Sequence, residues 1–564
     1  MALAKIVITQ IGFLGGDVID LSPDDTLILV GANNSGKSAT LRSIGHWLSD
    51  AAPLPGVPVV TGVSFQKDGD FETLLAALEE LSPPTERHLR ITINNRHISV
   101  DRESLRTLWD NPKRGPLPVS DYFYNNITTE LRLQAANNQS NRESASSPII
   151  NPLQEISSNF ELQEQISEYF RKAFGTDLVI SDVHQLISLH VGPRPAEPIG
   201  LKDLSRYLDD VRKLPPIVGQ GDGMRAFTGI LVSVFTGPQS IIAIDEPEAF
   251  LHPPQAYRLG HILGSEMVGT QKLIATHSSD ILKGVLDGKT GPTKIARINR
   301  DRDDHNRISL LDDEGIRELW SNPILRYSNA LDGLFHQLVV LCEADADCKL
   351  FHAVEEAVAT TDRRPAKDIL YTHCGGKHRM PVIVRALSKL GVPVRSVPDI
   401  DVLNEETVIR ELVMAHGGDW VALRPLWLPV QTWVTGRDRA ATAGAAQYAL
   451  RQIDAKAPMD ELTKEEISTI KRAVKNESGW ADLKRSGVNA VGAGGTRQQL
   501  DQLIEQLRQI NIFVNWHGEI EAMVTVPGGL HGPAYVAAVL EMGDLAGNPN
   551  LAKVRELVAL VVAG

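Results

Sequence analysis

The sequence predicts an α/β fold in two parts, a phosphate-binding sheet domain followed by a second parallel-sheet domain. Three observations carry that prediction. A glycine-rich stretch, Gly31 to Ser38 ("GANNSGKS"), stands between the apolar strand "LILV" and an amphipathic helix. A second apolar strand, Ile241 to Ile244, ends in Asp245 and Glu246. Two later strands end in carboxylates, one at Glu343 and one at Asp399 and Asp401.

The chain has 564 residues, which sets a prior of two to four domains. Hydrophobic residues make up 42% and charged residues 23%, as in a folded globular protein. No apolar run reaches the roughly 18 residues that span a bilayer, so no membrane partner is expected. The opening "MALAKIVITQ" lacks the basic and apolar regions of a signal peptide. Cys342, Cys348 and Cys374 form neither a disulfide framework nor a zinc pattern, so the expected compartment is the cytoplasm. The net charge of −13 argues against bulk electrostatic attraction to nucleic acid. It leaves room for a local basic groove, or for an acidic site that meets phosphates through metal ions.

The first element is the phosphate loop, GxxxxGK[ST] in its strand–loop–helix setting. Gly31 and Gly36 let the backbone wrap phosphates closely. The amides of the loop, Asn34 included, and the helix N-terminus supply positive partial charge. Lys37 would reach the β- and γ-phosphates and Ser38 would ligate magnesium. In "QSIIAIDEPEAFLHP", Asp245 would hold that magnesium and Glu246 would polarise the attacking water. The next strand, "KLIATHSSD", ends at His277, placed to sense the γ-phosphate. Before the acidic strand, "VGQGDGMRAFTGILVSVF" puts Gly219, Gly221 and Gly223 before an apolar helix, again an anion cradle. Lys37 already serves the chain's own nucleotide, so this cradle would serve a second copy.

The order of these elements resembles the ATP-binding-cassette (ABC) ATPases of the RecF and SMC branch. The resemblance implies ATP as cofactor and two heads closing over two ATP molecules, hence a homodimer or higher oligomer. The signature core reads Gly221-Asp222-Gly223 here, and Gln66 is the candidate for the glutamine loop. Residues 137–147 read as a polar, mobile loop. "NFELQEQISEYFRKAFG" reads as an amphipathic helix and "LVISDVHQLISLHV" as strands, so that about 150–210 forms an insert with a dimerisation role.

The later acids come next. "QLVV" runs into Glu343, Asp345 and Asp347. "DILYTHCGG" is a strand and glycine turn, "RMPVIVRALSKLG" a helix, and "VPVRSV" a strand leading to Asp399 and Asp401. Parallel strands place these ends on one edge, and strand alternation would point Asp399 and Asp401 the same way. Clustered carboxylates repel and need neutralising, and divalent metal is the usual remedy. The competing readings are a helix cap at Asp399 and Asp401 and a solvated loop at Asp345.

This region resembles the Toprim domain of topoisomerases, primases and some nucleases. Glu343, Asp347, Asp399 and Asp401 stand at its acidic positions, with Ala344 where that family has glycine. Further on, "IFVNWHGEIEAMV" is expected as a strand followed by Glu519 and Glu521. Together the motifs resemble the overcoming-lysogenization-defect (OLD) family, to which the Gabija nuclease subunit is related. That resemblance implies Glu519 and Glu521 as further metal ligands and Lys484 as a lysine near the scissile phosphate. It implies Mg2+, or Mn2+ in the Toprim site. It divides the chain into an ABC-type ATPase domain at 1–325, a Toprim domain at 336–530 and a helical segment at 531–564.

The function so implied is an ATP-binding and ATP-hydrolysing, metal-dependent DNA endonuclease with a role in antiviral defence and a partner protein in that system. RNA is the alternative substrate. The alternative function is an ATP-driven DNA clamp whose Toprim domain does not cut. A topoisomerase is disfavoured, because only Tyr448 and Tyr535 follow the Asp-x-Asp motif as nucleophiles.

Overall fold

A computed structural model describes residues 4–50, 52–56, 59–81, 88–93, 96–112, 115, 119–144, 147–182, 185–196, 201–266, 269–300, 306–321, 323, 329–363, 365, 367–438, 442–452, 461–474 and 478–563. The chain forms two compact units, residues 1–327 and 328–564. The domain limit expected at 325 lies outside the described residues.

The first unit is built on a six-stranded sheet. Its order is Asn306–Leu311, Thr293–Arg300, Thr26–Val30, Gln271–Ala275, Ile241–Asp245, Tyr124–Ile127. All neighbours pair in parallel except the edge strand Asn306–Leu311. The central strands are buried on both faces, which is why "TLILV" and "IIAI" are continuous apolar runs rather than alternating ones. Parallel pairing brings the C-terminal ends of Thr26–Val30, Gln271–Ala275 and Ile241–Asp245 to one edge. The phosphate loop, His277 and Asp245 therefore share that edge. An antiparallel sheet of Val18–Asp20, Lys5–Phe13 and Val60–Asp68 contributes to the core beside it.

The region 150–210 holds the helix Phe160–Phe174 and the antiparallel strands Leu178–Ser181 and Leu186–Val191. The helix buries Leu162, Ile166 and Phe170, spaced four apart on one face, and Asn159 caps its N-terminus. Part of the segment 137–147 is a short strand. Gln139–Ser140 pairs with Leu186–Ile187, although 145–146 lie outside the described residues.

The second unit carries a three-stranded parallel sheet in the order Ile369–His373, Leu338–Cys342, Val394–Val397. The helices Asp345–Thr361 and Met380–Lys389 follow its first two strands. Two expectations need correction. The strand before the second acidic pair ends at Val397. Asp399 precedes, and Asp401 lies within, the 3-10 helix Ile400–Asn404, so strand alternation does not orient them. The strand expected before Glu519 is reduced to isolated parallel bridges, Ser396 to Ile512 and Asp399 to Asn515, followed by a 3-10 turn at Ile520–Ala522. The chain closes with helices Gly532–Glu541 and Ala552–Ala563. Among the described residues no helix is long and apolar enough to cross a membrane.

Candidate functional site

Each unit presents one cluster of chemistry. In the first, the loop backbone turns through positive φ at Gly31, Asn34 and Gly36. At Gly31 glycine is required, because a Cβ there would lie 2.5 Å from the Ile298 carbonyl oxygen and φ is +144°. Lys37 is buried and folds back over the loop, donating to the Gly31 and Ala32 carbonyls at 2.8 and 3.0 Å. Burial lowers its pKa, while Glu246, Glu248 and Asp245 pull the other way. Ser38 Oγ donates to Asp245 Oδ1 at 2.8 Å, so the two expected magnesium ligands already touch across the sheet. An ammonium held by exchangeable carbonyl contacts, beside a hydroxyl–carboxylate pair, fits a nucleotide phosphate with its magnesium.

Glu246 sits at φ +49°, a strained value for a non-glycine residue and worth about 1–3 kcal/mol. Its amide donates to the Ala275 carbonyl. Its own carbonyl and that of Asp245 accept from Arg132 Nη1, at 2.8 and 3.2 Å. Arg132 is fully buried on the helix Thr129–Ala135, which packs on the helix Asp222–Phe235 that Gly221 caps. Gly223 lies in the first turn of that helix, and Gly219 ends a 3-10 turn before it. His277 Nδ1 lies 3.1 Å from Glu248 Oε1 and 3.8 Å from Glu246 Oε1. Glu248 is buried and accepts from Thr276 Oγ1 and the His277 amide. Burial raises its pKa, and these bonds oppose the rise. Gln66 lies on the strand Val60–Asp68, with its amide on Asp68 Oδ1.

Sequence reasoning missed Arg132 and Glu248. Arg132→Ala should cost about 3 kcal/mol, since it empties buried space and leaves two strand-end carbonyls unpaired. Thermal unfolding should show the loss, together with slower phosphate release as Glu246 relaxes from its strained backbone.

In the second unit, Glu343, Asp399 and Asp401 each offer an oxygen within 4.8 Å of the others. The Asp399 amide donates to Glu343 Oε1 at 3.2 Å. Lys484 Nζ lies 2.9 Å from Asp399 Oδ2 and 3.6 Å from Asp401 Oδ1. Its helix, Gly479–Ser486, is tied to the late acids by backbone contact. The Glu519 amide donates to the Lys484 carbonyl at 2.8 Å. Gly518, at φ +111°, leaves no space for a Cβ, which would lie 2.1 Å from the same carbonyl. Lys377, from the turn after Gly375 and Gly376, reaches Asp401 Oδ2 at 3.1 Å and Glu405 at 3.2 Å.

Asp347, Glu519 and Glu521 stand outside this close group. They line the same cavity, about 510 Å3, as Glu343, Asp399 and Lys484. Asp347 Oδ2 accepts from the Ala344 amide and so caps its own helix. Glu521 Oε1 accepts from the Gly532 amide. Asp345 is solvent-exposed and paired with Lys349.

The acids carry more negative charge than the site neutralises. Burial, then the charges of Asp399 and Asp401, push the Glu343 carboxyl up to about 8. Burial and Asp399 push Asp347 up to about 7. Burial raises Asp399, and Lys484 pulls it back. Burial raises Glu519, with Glu521 adding to it. Burial alone would lower the Lys484 ammonium, but Asp399, Asp401 and Glu343 hold it raised. Crowded oxygen ligands short of positive charge fit a hard dication such as Mg2+ or Mn2+.

This gives a pH prediction. Glu343 rises from 4.5 to about 8 on folding, so the folded chain holds a proton that the unfolded chain releases. Stability from this group is present below pH 4.5 and lost as pH climbs to 8. In EDTA the melting temperature should therefore fall from pH 5 to 8. Mg2+ should restore it most at pH 8, and Glu343→Gln should flatten the slope.

Residues 27–283 match a family model described as "AAA domain, putative AbiEii toxin, Type IV TA system". No curated protein matches the chain. Among solved structures, it is similar to an Smc head bound to the C-winged helix domain of ScpA, at 15% identity and TM-score 0.32, covering 56% of this chain and 100% of that one. It is also similar to an Smc head with an extended coiled coil bound to the C-terminal domain of ScpA from Pyrococcus furiosus. There the identity is 13% and the TM-score 0.32, with 57% and 99% covered. An SMC head domain from Thermotoga maritima matches at 12% identity and TM-score 0.28, with 55% and 99% covered. With its phosphate loop, acidic strand and family match, residues 27–283 are an ATP-binding, AAA-type P-loop ATPase domain.

Proposed function

We propose that the chain is an ATP-hydrolysing, divalent-metal-dependent DNA endonuclease of the OLD type, with the cutting site in a Toprim-like second unit. The observation that carries the reading is the meeting of Glu343, Asp399 and Asp401 oxygens beside the Lys484 ammonium. Carboxylates around a dication, with a lysine reaching the same space, are suited to phosphodiester cleavage. The metal would activate the nucleophile and steady the leaving oxygen. Glu343, Asp399 and Asp401 would hold it, and Lys484 would offset charge on the scissile phosphate. Asp347, Glu519 and Glu521 line the same cavity and would ligate a second ion or its waters. In the first unit Lys37, Ser38 and Asp245 would hold ATP and its magnesium, and Glu246 and His277 would position the attacking water.

The domain limits follow as 1–325, 336–530 and 531–564. The matched family's description names a toxin of a type IV toxin–antitoxin system, which supports a role against foreign DNA, with a partner protein in that system. Purified chain should nick supercoiled DNA in Mg2+ or Mn2+ and stop in EDTA. Linear, single-stranded and RNA substrates run in parallel define the substrate.

A second reading is an ATP-driven DNA clamp that does not cut. Lys377 and Lys484 already balance part of the charge on Asp399 and Asp401, as a site without metal would need. DNA binding with no cleavage under any metal or nucleotide condition would favour it.

A homodimer is also proposed. The helix start at Gly221 would serve the ATP of a second copy. Light scattering of Glu246→Gln with ATP should give at least twice the monomer mass, and a monomer would refute the paired heads.

A further inference from the structure

One turn of the second unit touches two of the three clustered acids. It leaves the strand Ile369–His373 through Cys374, Gly375 and Gly376 and enters the 3-10 turn Lys377–Arg379. Gly375 and Gly376 have φ of +70° and +117°, values that glycine adopts at little cost. That backbone lets both amides donate to one acceptor, the Glu343 carbonyl, each at 3.1 Å. The next residue reaches the second acid. Lys377 Nζ donates to the Asp401 carbonyl at 3.0 Å and to Asp401 Oδ2 at 3.1 Å. The sequence "GGK" therefore clips the residue after one strand, Glu343, to the 3-10 helix Ile400–Asn404 that carries Asp401.

The contacts of Lys377 do more than balance charge. Its side chain is 14% exposed, so water competes little for the bond to Asp401. Holding the carbonyl and Oδ2 of one residue together fixes the rotation of that carboxylate. The other oxygen, Asp401 Oδ1, is buried and has no hydrogen-bond partner among the described residues. Lys484 Nζ stands 3.6 Å from it, outside hydrogen-bond reach. Glu405 Oε1 lies 3.2 Å from Lys377 Nζ and steadies the ammonium in turn.

We propose that Lys377 is a positioning residue of the metal site, turning Asp401 so that Oδ1 meets the ion while the glycine amides fix the backbone of Glu343. The inference rests on the reading of these acids as metal ligands. A partner behind a metal ligand typically contributes about 10–100-fold in metal affinity. Charge alone predicts the reverse, because deleting a nearby cation strengthens the pull on a dication. The sign of the change therefore separates positioning from charge balance.

The test is calorimetric titration of the nucleotide-free full chain with Mn2+, with Glu343→Gln as the reference that lacks the second unit's ion. Lys377→Met should weaken Mn2+ binding about 10–100-fold. Lys377→Arg, which keeps a charged donor for Oδ2, should recover most of that affinity. Cooperative thermal unfolding in EDTA shows that each variant folds. Mn2+ binding that Lys377→Met leaves unchanged or strengthens, or Lys377→Arg as weak as Lys377→Met, would overturn the positioning role while leaving the metal site in place. No difference between wild type and Glu343→Gln would overturn the metal site itself, and the positioning role with it.

Discussion

Asp399→Ala removes DNA cleavage by at least about 100-fold, the range in which even loss of a partner behind a metal ligand falls. The same preparation hydrolyses ATP within about twofold of wild type. The loss is large because the Asp399 carboxylate both supplies one of the three clustered oxygens and is the nearest partner of Lys484. Its backbone amide, which alanine keeps, still holds Glu343 Oε1, so the loss isolates the carboxylate that held Lys484. Removing it deletes a ligand and leaves the lysine beside Asp401 alone, where the ammonium can occupy the space a dication needs. ATP turnover survives because Asp399 lies in a separate compact unit, at the start of the 3-10 helix Ile400–Asn404. Phosphate release and plasmid nicking, measured on one preparation, check both halves. Asp401→Ala should behave alike, whereas Lys484→Ala should cut slowly yet still bind metal.

Lys37→Ala weakens ATP binding by roughly 30-fold to several thousand-fold, the effect of removing one partner of a buried charge pair at about 2–5 kcal/mol. Phosphate release should fall to background. The ammonium is buried and rests on the Gly31 and Ala32 carbonyls, which a nucleotide's phosphates outbid by charge. Nothing else described within the loop carries positive charge, so the amides alone cannot compensate. Glu246→Gln should differ, binding ATP but turning it over far more slowly, because Ser38 and Asp245 remain for magnesium. Fluorescent-nucleotide titration separates the two variants.

The phosphate loop and acidic strand were legible because their chemistry is local. Glycine, lysine and serine at fixed spacing fold the same way wherever a strand delivers them. Glu248 was on view inside "DEPEAF", but only the parallel pairing of Ile241–Asp245 with Gln271–Ala275 brings it under His277. Arg132 carries no motif. It sits mid-helix, 113 residues before the Asp245 carbonyl it holds, and its role exists only in three dimensions. The meeting of Glu343 with Asp399 and Asp401 was foreseen, for a partly wrong reason. Strand ends do share an edge, yet a 3-10 turn, not strand alternation, carries Asp401 inward. The segment before Glu519 looked like a full strand because "IFV" is apolar. Its ladder stops at Asn515, and Trp516 to Gly518 turn away toward the Lys484 helix. Asp347, Glu519 and Glu521 line the same cavity but stand outside the close group of Glu343, Asp399 and Asp401, and backbone amides hold two of them, contacts that no motif announces.

The most direct test compares wild type with Glu343→Gln on supercoiled plasmid, in Mn2+ with and without ATP and in EDTA. The substitution keeps the side chain's size and removes only the charge that binds metal. The account predicts nicking by wild type in Mn2+ under at least one nucleotide condition, none in EDTA and none by Glu343→Gln. Equal nicking by the two proteins, or no cleavage by wild type under any condition, would contradict it.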